Sequence, residues 1–320
     1  MGLTHFPNGV SSFGQTIYGG QLPFNFGEVY FVDYRNGDDS YNGTKAQPKK
    51  TLSGAYAVCT SNNDDVIVID GDSEVVETAM ITWAKNRITV IGANGAKHFG
   101  QGARVSIGVT IAATDLGVLK VTGVRNNFIG IKFSSSNTVE EGLYAVVDAG
   151  EFTTYKNCSF YKSSDLDDAG ASEFALNGDS TQCYDCTFGS TANITGGIRP
   201  NVIVTGGIVA GKKCRDGYFE NCLFLAKADD TDKVFIYGAN ATDVERMLTF
   251  KGCTFFNNPL SAGVPAAAIA FGAAQTEGAV FCDGLCAVVD VTVMGTTGQN
   301  IFVIQQDGAT YATAGLSAQS

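Results

Sequence analysis

Apolar residues along this chain cluster in short runs broken by Gly, Asn and Asp, the mark of many short strands joined by tight turns. Val29-Tyr30-Phe31-Val32 predicts a strand, and Asp33 through Asp39 with Asn42-Gly43 supply turn chemistry behind it. Thr51 through Cys59 predicts a short helix, with Leu52, Tyr56 and Cys59 on one face and Thr51 or Ser53 as its cap. Val66-Ile67-Val68-Ile69 follows as a buried strand ending at Asp70-Gly71-Asp72, and Arg87 through Gly92 as a further strand and turn. One short amphipathic helix among strands suits the end of a solenoid, which must be closed against water. Before residue 28 the pattern fails. Phe6, Phe13, Phe24 and Phe26 stand among Gly, Ser and Asn with neither a strand nor a helix period. Such a segment is either an arm lying on another surface, a neighbouring subunit included, or a lead-in packed on its own domain.

From residue 125 a repeat emerges. Phe128-Ile129-Gly130-Ile131-Lys132-Phe133 aligns with Tyr155-Lys156-Asn157-Cys158-Ser159-Phe160 and with Cys183-Tyr184-Asp185-Cys186-Thr187-Phe188. Phe219-Glu220-Asn221-Cys222-Leu223-Phe224 and Phe250-Lys251-Gly252-Cys253-Thr254-Phe255 continue it, and Phe281-Cys282-Asp283-Gly284-Leu285-Cys286 is a copy slipped by a position or two. Ile131, Cys158, Cys186, Cys222 and Cys253 are 27, 28, 36 and 31 residues apart, a supersecondary period with variable loops. Cys and Phe two apart on a strand face the same side, so stacked coils would place the Cys in one interior column and the Phe in another. Asn, Asp or Gly before the Cys suits a bend that needs left-handed backbone angles. These features predict an all-β fold: a right-handed, single-stranded parallel β-helix with a short N-terminal capping helix. About eight or nine coils make a shaft about 40 Å long. The chain divides into a Phe- and Gly-rich N-terminal arm at 1–27, the parallel β-helix at 28–293, and a C-terminal cap or assembly tail at 294–320. Ile301-Phe302-Val303-Ile304 is a candidate last strand within the tail.

Composition narrows the partners. Hydrophobic residues make up 44%, charged residues 17%, with 39 Gly and 6 Pro, which fits strands and turns better than a helical bundle. A net charge of −11 argues against a nucleic-acid surface, and no apolar run is long enough for a membrane span. The first residues lack the basic and apolar regions of a signal peptide. Nine Cys, an odd number, then point to reduced thiols in a protein made in a cytosol, although a particle assembled there can later leave.

The stretch from Phe31-Val32-Asp33 through Gly37-Asp38-Asp39 and Asn42-Gly43 to Pro48-Lys49-Lys50-Thr51-Leu52 resembles the N-terminal cap of pectate-lyase-like β-helix proteins. Residues 2–14, and Ile69-Asp70-Gly71-Asp72-Ser73 with Val76-Glu77-Thr78-Ala79-Met80, resemble structural proteins of tailed bacteriophages, of head-associated or spike type. The first resemblance implies the fold. The second implies a virion protein assembled in the host cytoplasm, homotrimeric after the habit of phage β-helices, with the major capsid or other virion proteins as partners. Phe6, Phe13, Phe24 and Phe26 are then the candidate particle-attachment residues.

The pectate-lyase-like resemblance also raises an enzyme hypothesis. Arg199, in Ile198-Arg199-Pro200-Asn201-Val202, echoes the family's arginine motif, but no matching Asp ligands can be placed, and a turn residue is the simpler reading. Glycosidase chemistry needs two carboxylates about 5–9 Å apart, and acids on successive coils meet that spacing. The candidates are Asp165, Asp167, Asp168 and Glu173, then Asp179 and Asp185, then Asp229, Asp230 and Asp232, with solvated loops as the plainer reading. His5 and His98 lie near no nucleophile signature, against a Ser-His-Asp triad. Cys183-x-x-Cys186 and Cys282-x3-Cys286 have metal-like spacing, but residues three apart on a strand point to opposite faces and His ligands are missing. Asp33, Asp38 and Asp39 with Asn36 and Asn42 suit either Ca²⁺ or a hydrogen-bonded turn. Thr205-Gly206-Gly207 lacks the Lys-Ser/Thr of a phosphate loop. No catalytic residue, metal or cofactor is assigned. The expected function is a capsid decoration, cement or head-spike protein; the alternative is a tailspike or depolymerase that binds or cleaves bacterial surface glycans.

Overall fold

The computed structural model describes residues 11–12, 15–16, 27–72, 74–95, 98–107, 116–135, 143–162, 171–192, 197–205, 208–209, 211–260, 262–296, 298–304 and 316–318. The attachment candidates Phe6, Phe13, Phe24 and Phe26 fall outside these residues, as do His5, Asp165, Asp167 and Asp168. Three sheets run along the body, one of eleven strands and two of eight. The chain visits the first, second and third sheet in turn, and each strand pairs in parallel with its counterpart one coil away. The two eight-stranded sheets therefore mark eight complete coils of a right-handed parallel β-helix. Val29–Val32 is an extra rung of the first sheet before them, and Ile301–Ile304 another after them. Leu316–Ala318 closes that sheet antiparallel, while Ser11–Ser12 and Gln15–Thr16 form a separate antiparallel pair. Val293–Gly295 completes the eighth coil across the boundary drawn at 293, so regular rungs continue to residue 304.

The repeat signature spans the corner between the first and second sheets. In one coil Thr154–Lys156 ends the first-sheet strand, Asn157 turns the corner alone, and Cys158 leads into Ser159–Lys162. The corner residues Gly130, Asn157, Asp185, Asn221 and Gly252 have φ of 69, 53, 52, 54 and 60°, the left-handed region that Gly tolerates and short polar side chains adopt. The thiol behind each corner donates to the carbonyl of the inward residue one coil earlier: Cys158 to Phe128 at 3.3 Å, Cys186 to Tyr155, Cys222 to Cys183 and Cys253 to Phe219 at 3.5 Å. Next to this column Phe160, Phe188, Phe224 and Phe255 stack nearly parallel at 4.8–4.9 Å. Each buried ring contributes on the order of 1.5–3 kcal/mol relative to exposure.

The structure departs from the expected repeat at two points. Cys183 and Cys186 do not point to opposite faces, since both are fully buried inside the shaft. Asp185 stands between them in the left-handed conformation, so they belong to two strands and not to one. In the slipped copy, Cys282 and not Phe281 pairs with Phe250, and Phe281 turns outward to stack on Phe302 at 5.4 Å. Three residues, Asp283 to Leu285, separate Cys282 from Cys286, where two separate Phe250 from Cys253, so this corner carries one extra residue.

The third sheet has no such signature. Tyr144–Asp148, Ser172–Leu176 and Val202–Val204 are buried at every position, because Leu116, Leu143 and Ile208 pack over Tyr144, Val147, Ala175 and Ile203 on the outer face. At the opposite extreme, the capping helix Leu52–Val58 closes the first coil with Thr51 accepting from the Gly54 amide. Its ends are held by charges from the next coil. Glu77 accepts from the Leu52 and Ser53 amides at 2.8 and 3.2 Å, and the Lys85 ammonium donates to the carbonyls of Tyr56, Ala57 and Cys59 at 2.7–2.9 Å. A carboxylate at the helix start and an ammonium at its end satisfy orphan backbone groups and suit the helix dipole.

Candidate functional site

Four charged side chains converge at the corner between the second and third sheets in the middle coils. Lys162 ends a second-sheet strand, Glu173 lies in the next third-sheet strand, and Arg199 and Lys233 precede the third-sheet strands of the two following coils. All four are buried, none more than 5% exposed. Arg199 Nη2 lies 3.8 Å from Glu173 Oε1 and donates to the Lys162 carbonyl at 3.0 Å, and the Lys233 ammonium donates to the Arg199 carbonyl. Burial raises the pKa of Glu173, against the pull of Arg199, Lys233 and Lys162, and burial lowers that of Lys233 to about 8. Two candidates read separately from the sequence, Glu173 and Arg199, thus meet. Arg199 is a buried partner of a carboxylate rather than a turn residue. Lys162 and Lys233 carry no local signal in the sequence, since only coil stacking brings them together. The cluster braces the corner from inside, and breaking it would leave uncompensated buried charge.

The remaining acids separate. Asp179 and Asp185 sit at opposite corners of the strand Gln182–Tyr184. Asp185 is the left-handed corner residue, and Asp179 pairs with Arg215 at 3.2 Å. The carboxylate in register with Asp179 one coil earlier is Glu151, which the sequence did not single out. This pair meets the coil spacing, yet each member holds its own cation, Glu151 with Lys212 at 2.6 Å and Asp179 with Arg215. Arg215 also binds Glu245 at 2.5 Å, and Arg246 binds Asp216, so the corner carries a half-exposed ladder of alternating charge. Asp229 and Asp232 are exposed, whereas Asp230 folds its loop by accepting from the amides of Gly197, Asp232 and Lys233. His98 reaches Thr187 Oγ1 at 3.4 Å, at the start of a second-sheet strand.

The carboxylates of the candidate Ca²⁺ turn are occupied by the turn itself. Asp33 accepts from the amides of Arg35 and Asn36 and from the Asn36 side chain, Asp38 from the Ser40 amide, and Asp39 from the amides of Lys50 and Thr51 and the Thr51 hydroxyl. Among the described residues no three His, Cys, Asp or Glu side chains converge as a metal site.

Two surface features lie at the N-terminal end. An open cleft of about 560 Å³ is lined by Tyr34, Arg35, Asp72, Glu74 and Arg104 among others, with Arg104 paired to Glu74 at 3.2 Å. The second feature is the outward column of the first sheet. Its register runs Phe31, Val68, Ile91, Ile129 and then Lys156, Tyr184, Glu220, Lys251. The four apolar members are half-exposed and lie outside the core, and the exposed Val29 extends them beside residue 27, where the N-terminal segment joins.

No family model and no curated protein matches the chain. Among solved structures, the pectin methylesterase from Aspergillus niger superposes with a TM-score of 0.57 at 12% identity, covering 94% of this chain and 93% of that one. Pectin methylesterase PemA from Erwinia chrysanthemi superposes at 0.52 with 11% identity, covering 86% and 82%. ORF18 of Geobacillus virus E2 aligns at 0.40 with 9% identity, covering 80% and 58%, too remote to carry an inference. The two methylesterases share the parallel β-helix fold with this chain, and at such identity the likeness extends to the fold alone.

Proposed function

We propose that this chain is a structural protein of a bacteriophage particle, of capsid decoration or head-spike type, held by its N-terminal arm with the β-helix projecting as its body. The observation that carries the reading is the outward column of the first sheet, apolar from Phe31 to Ile129 and charged or polar beyond, beside the point where the Phe-rich arm joins. A contiguous apolar stripe on a soluble body marks a contact surface. The sequence resemblance of residues 2–14 to phage structural proteins supports the same placement. In this reading the protein resides in the virion as a homotrimer, and the arm and stripe meet the shell or another virion protein.

The test is sedimentation of purified particles with added protein. Deleting residues 2–26, or introducing Val68→Lys together with Ile91→Lys, is expected to abolish co-sedimentation while circular dichroism of the body is unchanged. If both altered proteins still sediment with particles, the attachment reading is wrong. Light scattering of the free protein checks the trimer.

A second reading, a tailspike or depolymerase acting on bacterial surface polysaccharide, is favoured by the cleft at Tyr34, Arg35, Asp72, Glu74 and Arg104. An aromatic ring beside guanidinium and carboxylate groups suits sugar faces and acidic sugars. Incubation with host envelope glycans would then release new reducing ends or unsaturated uronates, and Tyr34→Ala would weaken binding. No binding and no product in that assay would leave the cleft without this role.

A further inference from the structure

Cys158, Cys186, Cys222, Cys253 and Cys286 occupy the same corner of successive coils, each immediately before in-register residues of the second sheet. Cys183 and Cys282 lie in the adjoining inward column. Behind these corners the thiols follow one another coil by coil, from Cys158 through Cys186, Cys222 and Cys253 to Cys286. Seven free thiols thus form one continuous ladder inside the shaft. Six are buried, and Cys286, at the C-terminal end, is half-exposed. The extra residue in its corner opens this end, with Gly284 and Leu285 exposed beside it. Cys286 donates its thiol hydrogen to the Phe250 carbonyl and to Asp283 Oδ1, both at 3.4 Å, with its sulfur partly open to solvent.

We propose that Cys286 is a thiol–disulfide exchange site, at which a small disulfide such as oxidised glutathione converts Cys286 and a touching ladder thiol, Cys253 or Cys282, into an internal disulfide. In the first step the Cys286 thiolate attacks one sulfur of the reagent. The reagent's S–S bond breaks, and the departing glutathione thiolate takes up the proton that Cys286 released. In the second step the sulfur of Cys253 or Cys282 attacks the Cys286 sulfur of the mixed disulfide, the S–S bond to glutathione breaks, and the departing glutathione thiolate takes up the proton that the attacking thiol releases. Two protein thiols are oxidised and one glutathione disulfide is reduced to two thiols. Residues in register on neighbouring coils have Cα atoms about 4.8 Å apart, inside the range of about 4.4–6.8 Å that a disulfide spans. A Cys253–Cys286 bond ties the last coil to the one before it, and a Cys282–Cys286 bond locks the last corner. Cys158, Cys186 and Cys222 stay reduced, because the reagent has no path to them in the folded shaft.

The chemistry is the same whether the protein sits in a virion or binds glycans. The test treats the reduced full-length protein with oxidised glutathione under native conditions, then alkylates the remaining thiols and maps the peptides by mass spectrometry. The expected product has lost two hydrogens and contains one disulfide, with Cys286 joined to Cys253 or Cys282. Alkylation of the untreated protein should reach Cys286 about tenfold faster, or more, than the buried ladder thiols. Cys286→Ser should abolish the product and Cys158→Ser should leave it. A disulfide that excludes Cys286, a mixed disulfide that never resolves, or no oxidation at all overturns the proposal. Mapping of the unaltered protein decides the matter even if a variant fails to fold.

Discussion

Two columns of the first sheet, carried by the same strands, behave differently along the shaft. The inward column runs Ile67, Val90, Phe128, Tyr155, Cys183, Phe219 and Phe250, apolar or aromatic in every coil. The outward column changes character at one coil boundary, from Ile129 to Lys156. The interior therefore asks the same of each coil, and the exterior does not. Lys156 and Glu220 occupy positions equivalent to Val68 and Ile91, so the coil itself tolerates charge there. The apolar half of the column is therefore not dictated by the folding of the coil. That separation, between what folding requires and what folding leaves free, is what the proposed attachment through the N-terminal half rests on.

The largest expected effect tests the outward column directly. Val68→Lys with Ile91→Lys should eliminate particle association, whereas Tyr184→Lys with Glu220→Lys should leave it intact, both read by co-sedimentation. The inward column should respond alike in both halves. Phe128→Ala and Phe250→Ala are each expected to cost about 3–5 kcal/mol in urea unfolding, and a wide gap between them would break the claim of a uniform core. At the changeover itself lies Asp148, fully buried, which accepts from the Gly150 amide and the Thr153 and Thr181 hydroxyls. Burial raises its pKa from 3.8 to about 6. A carboxyl raised on folding binds its proton more tightly in the native state, so its stabilisation is full at low pH and is lost as pH rises through about 6. A shift of that size corresponds to about 3 kcal/mol between about pH 4 and pH 7. Asp148→Asn should flatten this part of the stability curve. The smallest effect belongs to the polar half of the outward column: Lys251→Ala removes an exposed pair with Glu220 at 2.9 Å and should leave the unfolding midpoint unchanged within error.

Much of the architecture was legible because it is local. The strands at Val29 and Val66, the helix capped by Thr51, the candidate last strand at Ile301, and the corner before each Cys all announce themselves within a few residues. The third sheet did not, since Tyr144–Asp148 and Ser172–Leu176 are buried on both faces and lack the alternation that marks a half-buried strand. The second set of left-handed corners was also hidden. Arg125, Phe152, Ser180 and Asp216 turn the chain from the third sheet to the first, and no residue type unites them. Of the chemistry, Glu173 and Arg199 were visible as residues but not as neighbours. Lys162, Lys233 and Glu151 acquire meaning only from the next coil. The same corner that made the Cys repeat recognisable also misled, because Asp185 turns Cys183 and Cys186 to the same side.

The corner residue before each thiol has one more consequence. Asn157 and Asp185 occupy equivalent points of adjacent coils, with nearly the same φ and the same kind of neighbours before and after. Excising residues 158–185 would join Asn157 to Cys186 and delete one turn without changing the phase of the remaining ones. The body then shortens by about 4.8 Å, and duplicating the same stretch lengthens it by as much. The molecule is in that sense a ruler with a fixed graduation. Selection acting on how far it reaches moves in whole steps, by gain or loss of a coil, and not by gradual stretching.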